Sequence, residues 1–280
     1  MARLDCLSAS PDRIVFESPA VKIGAFRCSV DDPCFEDSGP ASAHCFVFPR
    51  TAVEIEHEHE RAFAANPNVV TFYNRGQSYR RRAISSDGDR CDWFGVSADV
   101  ARDAIRAYDA GVDDRADPFR LMRGWSDPRT YFLQRRLFQE SARREALEVE
   151  EQGIWLLDRV LGCAYGVEPA NVPATRRDAI HHIEVVLSER WDQPLSLQDL
   201  AGEAGMSMYH LCRMFRRGTG TSLQQYRRRL RILSALEPVC ESRRPLIDIA
   251  MDAGFSSHSH FTSDFHRVFG RRPSDLRARF

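Results

Sequence analysis

The chain has 280 residues, of which 43% are hydrophobic and 28% are charged, a composition that excludes a disordered or collagen-like chain. This length suggests two domains, each large enough to bury a core. The sequence contains no apolar run that could span a bilayer, and its first residues lack the apolar stretch of a signal peptide, so we expect a cytoplasmic protein without a membrane partner.

Charge is distributed unevenly, although the formal net charge is only −1. From residue 175 to the end the chain carries 17 Arg against 12 Asp and Glu, whereas acidic residues are in excess before that point. An acidic first part and a basic last part favour two domains with different partners. The eight cysteines are scattered singly, without the paired spacing of zinc fingers, which predicts reduced thiols.

The first part of the chain is predicted to be rich in short strands. Turn residues such as Asn66-Pro67-Asn68 and Asp87-Gly88-Asp89 separate these segments. Such spacing is typical of a β-sandwich or a small barrel. The predicted strands are residues 13–16, 21–28, 44–48, 52–57, 69–73, 78–85 and 91–96.

Helical periodicity follows the strands. It predicts helices over residues 99–108, 129–151 and 154–163, with Gly153 between the last two. Two prolines within residues 168–173 predict a linker. From residue 175 onward the whole pattern is helical.

The helical last part contains an internal repeat, with an offset of 49 residues in its first half and 50 in its second. A shared series of small, apolar and glycine positions is a stronger indication of common structure than any single motif. The matched pairs are Asp199 with Asp248, Ala201 with Ala250, Gly205 with Gly254, Leu211 with Phe261, Phe215 with Phe265, Gly220 with Gly270 and Arg227 with Arg277.

Each copy of the repeat has the features of a helix-turn-helix. In the first copy Ser196 can cap a helix, and Gly205 lies where the turn favours a left-handed backbone. Ser207 is the predicted cap of the second helix, and Gly218 or Gly220 is its predicted end. The second copy has Pro245 at the start, Gly254 in the turn, Ser256 or Ser257 as cap and Gly270 as end.

The helix faces opposite the apolar stripes carry side chains that can contact base edges and phosphates. For one copy alone, a helical hairpin with a solvated face is an equal alternative. Two copies with a surplus of arginine favour DNA binding. The exposed faces are predicted to contain Met208, Tyr209, Cys212, Arg213 and Arg216 in the first copy and His258, Ser259, Thr262, Ser263 and His266 in the second.

The stretches LSLQDLAGEAGMS, HLCRMFRRGTG, SLQQYRRRLRILSAL and DIAMDAGFSSHSHFTSDFHRVFGRRPSDLR resemble the DNA-binding domain of AraC/XylS-type transcription regulators. The resemblance implies seven helices, with two helix-turn-helix units joined by a linker helix over about residues 223–236 that Pro238 ends. Leu276 and Cys212 depart from the residue types common at their positions. The resemblance further implies that bases are read by Tyr209, Cys212, Arg213, His258, Ser259, Thr262 and Ser263.

Arg213 is the first candidate for specificity, because bidentate Arg–guanine contacts are the commonest specific contacts to DNA. Two recognition helices about 34 Å apart would reach successive major grooves. Helix N-termini also offer amide donors to phosphate. The candidate phosphate contacts are Ser207, Arg216, Arg217, Arg227, Arg243, Arg244, Ser256, Arg267, Arg271 and Arg272.

The first part of the chain is similar, more weakly, to the cupin-like sensor half of the same family, in HCFVFPRTAVEIEHEHE, NVVTFYNRGQSYRRR and GDRCDWFGVS. The expected fold is therefore multidomain α+β, with a cupin-like β-sandwich or barrel, a helical connector and an all-α double helix-turn-helix domain. The expected boundaries are residues 1–122, 123–168 and 175–280.

Metal binding and thiol redox sensing are the alternatives for the first domain. In a strand, His57 and His59 share a face, and Cys45 and Cys91 are further candidate ligands. No third histidine follows in the strand region, and alternating Glu residues fit a solvated edge strand equally well. We therefore expect no catalytic site, no bound metal and no cofactor. Cys28, Cys34, Cys45 and Cys91 are the candidate redox thiols.

These observations predict a sequence-specific transcription regulator rather than an enzyme. Its expected partners are double-stranded DNA and a small-molecule effector in the first domain. An activator, with RNA polymerase as partner, is favoured over a repressor. The helices at residues 129–151 and 154–163 are the candidate element for a homodimer, with packing on the chain's own barrel as the alternative.

Overall fold

The computed structural model describes residues 11–38, 40–58, 60–166 and 174–277. Its described strands form two antiparallel sheets. In spatial order, the six-stranded sheet contains β1 (Asp12–Glu17), β2 (Val21–Cys28), β9 (Asp89–Val96), β4 (His44–Pro49), β7 (Val69–Tyr73) and β10 (Arg123–Trp125). The four-stranded sheet contains β3 (Asp37–Ser38), β8 (Tyr79–Ala83), β5 (Val53–His57) and β6 (Phe63–Ala65).

The two faces of the six-stranded sheet have different neighbours, because successive side chains point to opposite faces. Phe46, Phe48 and Phe94 are fully buried in the core that this sheet forms with the helices that follow it. Phe26 and Tyr73 lie on the opposite face and line a cavity against the four-stranded sheet. The expected β-sandwich is confirmed, with helices as a third layer.

Three α-helices follow β9: α1 (Ala98–Arg106), then, after β10, α2 (Pro128–Glu140) and α3 (Ala146–Tyr165). The predicted division into helices 129–151 and 154–163 is wrong. The chain breaks at the 3-10 helix Ser141–Arg143, where the Ser141 hydroxyl donates to the Phe138 carbonyl oxygen at 3.0 Å. Gly153 lies inside α3, where a Cβ atom would lie 3.0 Å from Val21 Cγ1, so this glycine permits close packing rather than ending a helix.

Seven α-helices lie between residues 174 and 277, as predicted. They are α4 (Ala174–Glu189), α5 (Leu197–Glu203), α6 (Met208–Thr219), α7 (Leu223–Glu241), α8 (Leu246–Asp252), α9 (His258–Phe269) and α10 (Pro273–Arg277). The predicted linker at residues 168–173 lies outside the described residues.

The linker helix α7 is longer than predicted, because Pro238 lies inside it and does not end it. A proline in the last turn removes one backbone hydrogen bond, and the rest of that turn can remain helical if packing holds it. Val239 is completely buried, and the Ser242 hydroxyl donates to the Pro238 carbonyl oxygen at 2.6 Å. These contacts hold the last turn of α7.

Helices α4 and α7 pack directly on the β-sandwich. The Asn66 side-chain amide donates to the Tyr226 hydroxyl at 2.7 Å and to the Ser188 hydroxyl at 2.8 Å, and all three groups are buried. At the other end of α7, Arg50 Nε donates to Glu237 at 3.1 Å. The sandwich therefore holds the helix that joins the two helix-turn-helix units.

Candidate DNA-binding surface and sandwich cavity

The first helix-turn-helix unit consists of α5 and α6. Ser196 caps α5 in a capping box with Asp199, and Gly205 in the turn has φ +60°. Ser207 caps α6 by accepting a hydrogen bond from the His210 amide. Gly220, with φ +71°, ends the helix, which decides between the two predicted glycines. Local sequence thus accounts for each boundary of this unit.

The second unit, α8 and α9, repeats this geometry. Gly254 and Gly270 have φ of +72° and +70°, in the roles of Gly205 and Gly220. The cap of α9 is Ser257, which accepts from the His260 amide. Of the two predicted caps, Ser257 is the one that caps α9, and Ser256 precedes it. The one-residue difference in offset therefore lies in the turn before α9.

The predicted base-reading side chains lie on the outer faces of α6 and α9. The opposite faces carry the buried residues Leu211, Phe215, Phe261 and Phe265. Tyr209 is 68% exposed. Cys212, Arg213, Ser259 and Ser263 are also exposed, whereas His258 and Thr262 are half-buried.

The candidate phosphate-binding arginines have different surroundings. Arg267 pairs with the buried Asp264, and Arg244 pairs with Asp252. Arg227 is half-buried and donates to the carbonyl oxygens of Trp191 and Leu195 at 3.4 and 3.3 Å, so its guanidinium holds the chain before α5. Residues that are exposed and have no ion pair within the described part of the chain are Arg216, Arg217, Arg243, Arg271 and Arg272.

The sequence pattern did not indicate that Arg176 is part of this surface. It lies at the start of α4, yet it borders a groove of about 410 Å³ together with His210, Arg213 and Arg217 of α6. No spacing pattern indicates this, because the packing of α4 on α6 brings together positions that are distant in the chain.

A cavity of about 600 Å³ lies between the two sheets, and we call it the sandwich cavity. Its walls are mainly apolar and aromatic, including Phe26, Tyr73, Tyr79 and Trp93. A volume of this size suits a small organic ligand.

One buried ion pair lies in the wall of the sandwich cavity. Arg81 Nη1 contacts Asp89 at 2.7 Å, and its guanidinium lies 4.5 Å from the centre of the Phe26 ring. Burial alone would lower the pKa of Arg81, but Asp89 raises it above its ordinary value. Arg81 Nε is also occupied, because it donates to the Phe35 carbonyl oxygen at 3.0 Å. The pair therefore adds a polar site to a mainly apolar wall.

Four cysteines, Cys28, Cys34, Cys45 and Cys91, line the sandwich cavity. Burial raises the pKa of Cys28, raises that of Cys45 to about 12, and raises that of Cys91 well above its ordinary value. A thiolate is therefore disfavoured at these three positions at neutral pH.

The candidate metal ligand His57 is a packed core residue. Its ring is buried, lies 4.8 Å from the Tyr73 ring between centroids, and has Nδ1 3.1 Å from the Gln77 amide nitrogen. Burial lowers the pKa of His57 to about 4. His59 lies outside the described residues. Where the structure describes the chain, it shows no group of three or more His, Cys, Asp or Glu side chains that could hold a metal ion.

The fold defines a class of protein in which a β-sandwich with an internal cavity is packed against a domain with two helix-turn-helix units. A family model described as a helix-turn-helix domain matches residues 200–279. Regulatory protein SoxS of Salmonella typhimurium is 42% identical over 93 residues, which cover 33% of this chain and 87% of SoxS. The chain belongs to the AraC/XylS family of transcription regulators.

Other similar proteins cover different shares of the chain. The right origin-binding protein of Escherichia coli K12 is 36% identical over 95 residues, 34% of this chain and 33% of that protein. A crystal structure of ToxT from Vibrio cholerae covers 93% of this chain and 98% of ToxT, with 9% identity and a TM-score of 0.41.

In the described ranges no helix combines the length and apolar character needed to cross a membrane.

Proposed function

We propose that this chain is a sequence-specific DNA-binding transcription regulator. The observation that carries this proposal is the pair of helix-turn-helix units, each with its second helix buried on one face and exposed on the other. The surplus of arginine over acidic residues after residue 174 supports binding to a phosphate backbone. The helix-turn-helix family model over residues 200–279 supports a DNA-binding domain within residues 175–280.

In this proposal the exposed side chains of α6 and α9 contact bases. Arg213 is exposed, has no ion pair within the described ranges, and presents the planar fork that suits guanine. The remaining proposed base contacts are Tyr209, Cys212, His258, Ser259, Thr262 and Ser263.

Phosphate contacts are proposed for the exposed arginines, for the N-terminus of α6 at Ser207 and for the exposed Ser256 just before the cap of α9. We also add Arg176 because it borders the same groove as Arg213 and Arg217. Arg227 is left out because it already binds backbone carbonyl groups. The retained arginines are Arg216, Arg217, Arg243, Arg244, Arg267, Arg271 and Arg272.

The sandwich cavity is the proposed site for a small-molecule effector. Its volume and aromatic walls support this assignment. The contacts of Asn66 with Tyr226 and of Arg50 with Glu237 offer a physical connection from the sandwich to α7. RNA polymerase is the proposed protein partner if the chain activates transcription.

A homodimer is proposed through the outer face of α3. Leu147 is 69% exposed and Trp155 is 50% exposed, although both are large and apolar. Ile154, seven residues after Leu147, is 39% exposed and extends the same stripe. Other residues of α3, such as Leu156, Leu157 and Val160, pack inward, so α3 contributes one face to its own core and leaves another uncovered.

The test is DNA binding by the full chain, first by selection from random duplexes and then by anisotropy titrations on selected and scrambled duplexes at several salt concentrations. Arg213→Ala should weaken binding to the selected duplex by about 1–3 kcal/mol and relax preference at one base pair. Arg271→Ala should weaken binding to both duplexes about equally and reduce the salt slope by about one unit.

Arg75→Ala is the matched control, because Arg75 is an exposed arginine in a turn of the sandwich. Its affinity for DNA should equal that of the unaltered chain. Equal affinity of the chain for selected and scrambled duplexes would contradict sequence-specific binding. Uniform loss of affinity in Arg213→Ala, with base preference intact, would make Arg213 a phosphate contact.

A further inference from the structure

A second groove lies outside the DNA-binding surface and the sandwich cavity. It has a volume of about 790 Å³ and lies between β1 and β2 on one side and α2 with the following 3-10 helix on the other. The end of α7 closes it at Glu241. We call it the cationic groove, because its lining includes Arg13, Arg27, Arg50, Arg135 and Arg143.

The arginines of this region divide into a balanced set and an unbalanced set. The balanced set is a network in which Arg50, Arg90 and Arg135 pair with Asp92, Glu237 and Glu241. The unbalanced set is Arg13, Arg27 and Arg143, which are exposed and form no ion pair within the described residues. The groove therefore has an excess of positive charge that its own carboxylates do not neutralise.

The backbone register holds these charges close together. Arg27 of β2 lies directly opposite Arg90 of β9, an arrangement of like charges that destabilises a sheet. Arg13 pairs with Ala25, two residues before Arg27, so both arginines project from the same face. Partial burial and the neighbouring Arg90 and Arg50 lower the pKa of Arg27. An anion in the groove would relieve this repulsion.

The rest of the lining suits a ligand with an apolar part. Val15, Ala25, Phe138 and Ala142 border the groove between the arginines. Arginine forks bind phosphate through two parallel hydrogen bonds. Three arginines without an ion pair among the described residues exceed what a single carboxylate needs.

We propose that the cationic groove binds a phosphate-bearing small molecule. Its phosphate groups contact Arg13, Arg27 and Arg143, and an attached ring packs on Phe138 and Ala142. Arg135 borders the groove and also pairs with Glu241, so the bound phosphates lie beside the end of α7. The site does not depend on the proposed DNA-binding surface, because it shares no residue with α6 or α9.

The experiment is calorimetric titration of the full chain with pyrophosphate, ATP and adenosine at constant ionic strength. Pyrophosphate and ATP should bind, and adenosine should not. Arg27→Gln and Arg143→Gln should each weaken pyrophosphate binding about tenfold, the loss expected for one charge-assisted contact. Arg75→Gln, which removes an exposed arginine elsewhere on the sandwich, should bind as the unaltered chain does.

Tighter binding of ATP than of pyrophosphate would support the packing of a ring on Phe138 and Ala142. Equal affinity would contradict that packing and leave only the phosphate contacts. Each altered side chain is exposed, and far-UV circular dichroism should match the unaltered chain. No pyrophosphate binding, or equal weakening in all three variants, would overturn the proposal. A loss of affinity for scrambled DNA in Arg27→Gln and Arg143→Gln, without pyrophosphate binding, would assign the groove to DNA instead. DNA binding by α6 and α9 is measured separately, so either proposal can fail alone.

Discussion

Gly205 and Gly254 occupy the same position in the two helix-turn-helix units, yet their surroundings differ. Both have positive φ, which an L side chain adopts at a cost. A Cβ atom at Gly205 would have no neighbour within 4 Å among the described residues, whereas one at Gly254 would lie 2.3 Å from the Asp192 carbonyl oxygen. The glycine of the second turn therefore packs against the segment before α5, whereas the glycine of the first turn has no such neighbour in the described part of the chain.

This difference predicts unequal effects of the same substitution. Gly205→Ala should lower the free energy of unfolding by about 1 kcal/mol, the cost of a left-handed alanine. Gly254→Ala should lower it by about 2–4 kcal/mol, because the backbone must also move. Urea denaturation followed by circular dichroism measures both, and equal losses would show that the Asp192 contact is absent in solution.

At the level of elements, α3 illustrates how one helix can carry two roles. Its inward face, with Leu156, Leu157 and Val160, completes the core of the six-stranded sheet, and Gly153 allows the close approach to Val21. Its outward face leaves Leu147, Ile154 and Trp155 partly uncovered. Burying an apolar side chain of this size is favourable by about 1.5–3 kcal/mol. A second copy of the chain that covered this face would therefore form a dimer stabilised by that burial.

Trp155→Glu should therefore shift the chain from dimer to monomer in sedimentation velocity. A carboxylate buried at the centre of such an interface would lose its hydration without a partner. Ile247→Glu, a substitution at an equally exposed apolar residue of α8, should leave the sedimentation coefficient unchanged. A dimer that persists in Trp155→Glu would assign the interface to another element.

At the level of the whole molecule, the ionic network around Glu237 joins the sandwich to the linker helix. Burial alone would raise the pKa of Glu237, but Arg50 and Arg90 outweigh burial and hold it below the ordinary 4.5. A carboxyl group with a depressed folded-state pKa stabilises the fold above its unfolded pKa. That contribution is lost as the pH falls through the folded value.

Glu237→Gln should consequently lower the free energy of unfolding by about 1–3 kcal/mol at pH 7, and the difference from the unaltered chain should shrink as the pH falls below 4.5. The control is Glu148→Gln, which breaks the pair between the exposed Glu148 in the first turn of α3 and the half-buried Arg144 just before that helix, and should cost less than about 0.5 kcal/mol. Urea titrations at a series of pH values measure both. A constant difference across the pH range would exclude titration of Glu237 as its cause.

The sequence by itself determined most features that depend on local chemistry. The predicted strands at residues 21–28 and 69–73 have the bounds of β2 and β7, because alternation and turn residues act over a few positions. The repeat predicted both helix-turn-helix units, since caps such as Ser207 and glycines such as Gly220 and Gly270 act on their own helix ends. The expected faces of α6 and α9 follow from helical periodicity alone.

Only the tertiary structure decided features that depend on distant residues. β3, β6 and β10 contain two or three residues each, too few for a pattern, and exist because β8, β5 and β7 offer hydrogen bonds to them. Packing partners likewise decided the break between α2 and α3 and the continuation of α7 past Pro238. They also decided that Arg227 donates to backbone carbonyl groups of its own domain. The sequence did not indicate the cationic groove for the same reason. Only the sheet register places Arg27 opposite Arg90, and only the packing of α2 on the sheet brings Arg143 to the same groove.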